Sequence, residues 1–279
     1  MTAKVGKSED TVEPVAPEGA SYEYTGSKIP NGNEADLYQI RAITDIPELK
    51  VKKGDIGGWV DPTPLDNGEM RISGNAWVSQ NAQLYGQAQI SDNAFISDNA
   101  KVYDNANISD DAKVSNNAQV YGRAKISGAA WVANYANVYE CADISGRAEV
   151  FGNSEVSGNT CVYDNAQVFG KSLVYGRSLI FNNATVRGAA RISGNTEISG
   201  DAEVQGDAEV KDHANIFDAA LVYGSAQVSE NAHIFGNAQV SELARISGNA
   251  WVYGQATIKG SRVITGDVKI RGSAAGDAR

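Results

Sequence analysis

From Ile72 onward every sixth residue of this chain is Val, Ile or Leu: Ile72, Val78, Leu84, Ile90, Ile96, Val102, and so on to Ile258, Ile264 and Ile270. About 34 such positions follow one another without a break, far more than scattered apolar residues produce by chance. Two residues before each one, from Ala76 on, stands a small residue, nearly always Ala. Ser154, Thr160, Ser172, Ser178 and Thr196 are mild variants, and the rule lapses at Arg262 and Val268. Two residues after most aliphatic positions comes Gly, Asp or Asn, as at Gly74, Asp92, Asp98 and Gly122. These residues tolerate positive φ in a tight corner.

Each hexad therefore reads as a short strand, small-x-aliphatic-x, followed by a two-residue corner. Strand alternation turns the small and aliphatic residues inward and both x residues outward. β-branched Val and Ile suit such a strand. Hexads of this kind stack into a solenoid in which each coil pairs its backbone with the next.

Composition agrees with a folded chain and narrows its partners. Hydrophobic residues make up 42% of 279, enough for a sizeable core. The net charge of −10 argues against a general phosphate-backbone binder, so no nucleic-acid partner is expected. No apolar run approaches the ~18 residues that span a bilayer, and the N-terminal MTAKVGKSEDTVEPVAPEGA lacks an apolar signal core. No membrane partner is expected either. With only Cys141 and Cys161, no disulfide framework exists and a reducing compartment is favoured. The expectation is synthesis in the cytoplasm.

Residues 1–20 are polar and rich in Pro and Gly, and read as a flexible arm. Residues 21–69 break the hexad; DLYQIRAITDIPELKVKKGDIGGWVD (Asp36–Asp61) alternates apolar and polar residues and turns at Lys53-Gly54-Asp55. They are expected to form a small β cap over the open end of a solenoid spanning 70–272, because an uncapped core would expose apolar surface. Residues 273–279 read as a flexible tail.

The hexad run resembles the hexapeptide-repeat superfamily, which implies an all-β fold: a left-handed parallel β-helix of about 11 triangular coils, each of three hexads. At ~4.8 Å per coil the rod would be about 50 Å long. The capping segment is similar to the YdcK-like branch found in enterobacteria, phages and prophages, through Leu37, Tyr38, Ile40, Arg41, Gly54, Asp55, Gly57, Gly58, Trp59 and Val60. That resemblance covers about residues 36–270 and implies an association with mobile elements and a bacterial cytoplasm as the place of synthesis.

Many members of the superfamily are acyl-CoA-dependent acyltransferases, which need a His base and a loop inserted between coils. Here no insertion interrupts the run, and there are two His residues. His213 sits in a corner, where turn chemistry explains it. His233 is an outward strand residue among aromatics and is the better base of the two, although an ordinary surface His also explains it. No other catalytic residue is expected. Nor is a cofactor or a metal: Cys141 and Cys161 lie four coils from His213 and His233, about 19 Å away.

Stepping by one coil sorts the outward residues into faces. One face is polar early and then carries Tyr163, Leu179, Phe181, Phe217, Phe235, Trp251 and Tyr253. A second carries a ladder of Tyr85, Tyr103, Tyr121 and Tyr139, and Tyr175 further on. The third is mixed, with Trp77, Phe95 and Trp131 early and Phe151 and Phe169 in the middle. Stacked aromatics stabilise a solenoid on their own account, yet an exposed stripe this long also marks an interface. The expectation is a non-enzymatic structural or interaction protein, a rigid homotrimeric rod joined along the Tyr163–Tyr253 stripe. Its N-terminal arm and cap would hold it to a larger assembly, for which a phage virion is the most concrete setting. A surface glycan or another protein is a further expected contact.

Overall fold

The computed structural model describes residues 13–32 and 34–272. Within them the chain is all-β, and its one helical turn is a 3-10 segment at Pro47–Leu49. Two-residue strands follow one another at hexad spacing and pair in parallel with the strand one coil away, as in Trp77↔Phe95 and Val78↔Ile96. About 11 coils stack into three sheets of 14, 11 and 11 strands, parallel wherever coil pairs with coil. The fold is thus a parallel β-solenoid with coils 18 residues apart, as the hexads imply. The sheets are named here by what they present: the tyrosine face (Tyr85 and its ladder), the stripe face (Tyr163 to Tyr253) and the third face (Phe95, Trp131).

The inward register follows the hexad. From Ala76 to Val252 the aliphatic and Ala positions are 0–1% exposed. The Arg262 and Val268 exceptions fall in the last coil, where both residues are exposed and Ile264 and Ile270 are only partly covered. A small residue is needed only where a further coil lies above it.

The corners obey one backbone rule. Every sixth residue from Gly74 to Gly266 has positive φ. Non-glycine corners hold φ near 60°, from 57° at Gln80 to 65° at Asp212. Several acidic ones reach the next coil: the backbone N–H of Asn116 donates to Asp98 Oδ2 at 2.8 Å, that of Gly128 to Asp110 Oδ2 at 2.8 Å, and that of Gly158 to Glu140 Oε2 at 2.8 Å. Corner acids therefore act as backbone caps between coils.

Inward hydroxyls bring their own corner. Ser154, Thr160, Ser172 and Ser178 donate to the carbonyl three residues back, and Thr196 donates to Ser178 Oγ. In many Ala hexads the backbone N–H takes that carbonyl instead, as in Ala100 to Ser97. Each of the five hydroxyl positions follows a glycine corner with a widened φ: Gly152 76°, Gly158 75°, Gly170 84°, Gly176 87° and Gly194 82°. A residue with a Cβ is strained at such angles, so each inward hydroxyl follows a glycine, although Gly188 reaches 75° ahead of Ala190 as well.

The N-terminal segment covers the first coil. Strand β1 (Tyr22–Ile29) pairs antiparallel with β2 (Leu37–Ala42), and β2 with β3 (Ile56–Val60). β3 then pairs in parallel with Gln83–Leu84, extending the tyrosine-face sheet. The double glycine permits this approach. A Cβ on Gly57 would lie 2.7 Å from the Trp77 ring and 2.6 Å from Ile40, and one on Gly58 would lie 2.5 Å from the Ala82 carbonyl oxygen. Trp77, expected on an outward face, is instead buried at 1% exposure. The cap lies over that position, which removes it from the surface aromatics.

Arg71, just before the first hexad, fastens the connection between cap and solenoid. Its side chain is 4% exposed and lies 3.6 Å from Asp61. Its guanidinium donates to the carbonyls of Gly86 (2.7 Å), Ala88 (3.3 Å) and Thr63 (2.9 Å). Of the expected N-terminal arm, residues 1–12 lie outside the described residues, as does the expected tail, 273–279. Residues 13–20 run along the cap, with Ala16 and Ala20 packed against its core.

Candidate functional site

The stripe face is built from two outward columns, the residue before and the residue after each inward aliphatic. The second column stacks its rings: Tyr163 on Phe181 at 5.0 Å, then Phe217 on Phe235 at 4.8 Å and Phe235 on Tyr253 at 5.0 Å, each within 9° of parallel. Ser199 interrupts it between Phe181 and Phe217, and Glu197 follows Leu179 in the first column. The residues expected to form one stripe thus fall into two patches. The first holds Tyr163, Leu179 and Phe181, and the second Phe217, Phe235, Trp251 and Tyr253. The second patch and the polar gap share a groove of about 590 Å³, lined by Glu197, Ser199, Asn215, Phe217, His233 and Phe235, with Trp251 at its end.

His233 meets Trp251 edge to face at 5.5 Å between ring centres. Among the described residues no carboxylate lies within ion-pair distance of its ring, so nothing there fixes the imidazole as a third group fixes a catalytic base. Lys269 covers Trp251 from the other side, with Nζ 4.1 Å from a ring centre. That contact was not foreseen, although Lys269 is one coil beyond Trp251 and the 18-residue step points to it. His213 sits beside Asn195, its Nε2 3.0 Å from the amide nitrogen.

The tyrosine ladder forms as spaced. Tyr85, Tyr103, Tyr121 and Tyr139 stack at 5.0, 4.9 and 5.0 Å, within 4° of parallel. Tyr175 stands apart because Ser157 occupies the intervening position. In this geometry each ring covers the face of the next, and the Tyr103 hydroxyl donates to Gln119 Oε1 at 3.3 Å. Burial within the stack pushes Tyr85 and Tyr103 up to about 12. Further charge contributes in the same direction, from Glu34 and Asp104 at Tyr85 and from the neighbouring tyrosines at Tyr103.

Cys141 and Cys161 are free thiols, and burial raises Cys161 above its ordinary value with Asp143 adding to the effect. Among the described residues no group of three or more His, Cys, Asp or Glu side chains converges to hold a metal ion. Among the described residues no helix is long and apolar enough to cross a membrane.

The third face carries a second groove, of about 720 Å³, where Glu48 and Leu49 of the 3-10 turn overhang Phe95, Lys113 and Trp131. Trp131 is 42% exposed, and its indole N–H donates to Ser115 Oγ at 2.9 Å. The hexads place Phe95, Lys113 and Trp131 in one column, but nothing periodic in the sequence places Leu49 beside them. In comparison with known proteins, no family model and no characterised protein matches this chain.

Proposed function

We propose that this protein is a non-enzymatic rod that works by interaction. Three copies would pack side by side along the stripe face, and the N-terminal region would attach the rod to a larger assembly. The observation that carries this reading is the second aromatic patch, where Phe217, Phe235, Trp251 and Tyr253 crowd one rigid face beside a groove. Half burial of an aromatic side chain of ~150 Å² contributes on the order of 2 kcal/mol, and several together offset the entropy of association. The same columns nearer the N-terminus are Gln89, Asn107, Lys125 and Asp143, so contact there would be wetter. The similarity of Asp36–Asp61 to the YdcK-like phage and prophage proteins supports a virion setting, as a decoration, whisker, spike or tail-associated component.

Light scattering on the purified chain tests the association. A trimer that becomes a monomer in the double variant Phe217→Asp, Phe235→Asp is the expected result, because two charges per subunit would enter the seam. An unchanged mass in that variant would refute the assignment of the interface. The position of His233 in the groove with Glu197 and Asn215 keeps acyl transfer as a second reading. Thiol release from acetyl-CoA with sugar and amine acceptors separates the two: turnover abolished by His233→Ala would replace the structural reading.

A further inference from the structure

Trp131 differs from the aromatic ladders on the other two faces. Those rings cover one another, in the tyrosine ladder and in the Tyr163–Phe181 and Phe217–Phe235–Tyr253 stacks, and Trp251 is covered by Lys269. Among the described residues no ring or cation is stacked on Trp131. Its hydrogen bond to Ser115 fixes the orientation of the indole and satisfies the N–H, so the ring is held in place at 42% exposure.

The groups around it are polar and mixed in sign. Lys113 and Glu149 are its register partners in the preceding and following coils. Neither forms an ion pair among the described residues, so an ammonium and a carboxylate flank the ring, with Glu149 Oε2 accepting from the Gln167 amide at 3.0 Å. Asp111 lies in the same groove. Its Oδ1 accepts from the Asn93 amide at 2.8 Å, and Asn93 in turn accepts from Asn75 at 3.0 Å. That amide chain sets the carboxylate and leaves Oδ2 as an acceptor. The β ladder holds the floor rigid, and Leu49 with Glu48 overhang it from the cap.

We propose that this groove binds a neutral oligosaccharide. A free aromatic face receives the C–H face of a pyranose ring, while acceptors and a donor at its margins meet the ring hydroxyls. An apolar ligand would bury the Lys113 ammonium and the second carboxylate oxygens of Glu149 and Asp111, each of which keeps one amide donor, away from water. An acidic sugar would meet Glu48, Asp111 and Glu149 against a single Lys113. A basic peptide would set its cation over Trp131 beside the Lys113 ammonium, which repels it. The groove lies on a different face from the patch assigned to self-association, so the proposal stands independently of the trimer.

Calorimetric titration of the full chain with cellohexaose, maltohexaose and chitohexaose tests it, with a heparin hexasaccharide and a hexa-arginine peptide as charged controls. Binding of at least one neutral hexasaccharide is expected, weakened about tenfold or more in Trp131→Ala and less in Trp131→Phe. The Phe217→Asp, Phe235→Asp variant should bind it unchanged, which separates this site from the association surface. Should Trp131→Ala lose its native circular dichroism, the indole N–H resonance of Trp131, assigned with Trp131→Phe, supplies the readout and is expected to shift on titration. Failure of all three neutral sugars to bind, binding with no effect at Trp131, or binding of the arginine peptide alone would each overturn the proposal.

Discussion

The pairing of inward hydroxyls with widened glycine corners makes a quantitative prediction at Gly170 and Ser172. Gly170 has φ +84°, and a Cβ there would lie 2.7 Å from the Gly188 carbonyl oxygen and 2.8 Å from its nitrogen. Gly170→Ala therefore carries two costs. The left-handed backbone adds about 1–2 kcal/mol for a residue with a Cβ, and forcing the Cβ against the next coil adds about 1–3 kcal/mol. A loss of about 2–5 kcal/mol is expected. Gly86→Asn is the control, because its φ is +68° and its hexad carries Ala88, not a hydroxyl. There the corner relaxes to the 57–60° that Asn116 and Asp104 already adopt, and the amide side chain gains the Asp104 N–H as a donor. That change should cost about 1 kcal/mol or less.

The coupling is tested by adding Ser172→Ala. With the hydroxyl gone, the Phe169 carbonyl is open to the backbone N–H of residue 172, and the corner can close toward 60°. The double variant should then be less destabilised than the sum of its parts, by about 1 kcal/mol. Urea unfolding compares the four variants with the wild type, with amide exchange near residue 188 as a local readout, since solenoids do not always unfold in one step. Equal losses for Gly170→Ala and Gly86→Asn would refute the corner argument, and strict additivity would refute the link between hydroxyl and glycine.

Arg71→Ala should detach the cap, because it strips three carbonyls of their donor and leaves Asp61 buried without its cation. A loss of about 3–5 kcal/mol is expected, read as a lowered melting temperature with cap amides exchanging first, whereas exchange unchanged in residues 22–60 would show that the cap holds without it. Alkaline pH should destabilise the coils of the tyrosine ladder. Tyr85 and Tyr103 are raised to about 12 from an ordinary value near 10, so the folded state keeps its protons longer than the unfolded chain. Their contribution is complete below pH ~10 and lost as pH rises toward 12, and Tyr85→Phe with Tyr103→Phe should flatten that fall; an identical pH profile in the double variant would refute it.

The sequence alone determined whatever repeats. A period of six fixed which residues face inward from Ala76 to Ile258, where each corner bends, and which outward residues share a column. Parallel coils in register place residues 18 apart beside one another, so the tyrosine ladder and the Phe217–Phe235 stack were legible from spacing. The non-periodic segment was legible only as a cap. Where β3 docks, that Gly57 and Gly58 clear Trp77 and Ala82, and that Arg71 reaches the Thr63, Gly86 and Ala88 carbonyls depend on contacts between segments with no shared register. The same is true of the groove under Leu49, which exists because the 3-10 turn hangs over a column it does not continue. The gap at Glu197 and Ser199 was written in the sequence, yet its consequence, a groove between two aromatic patches, emerged only when both columns were set on one face. A repeat encodes its own neighbours through spacing, whereas a contact between unlike segments is decided by the shape that each has already taken.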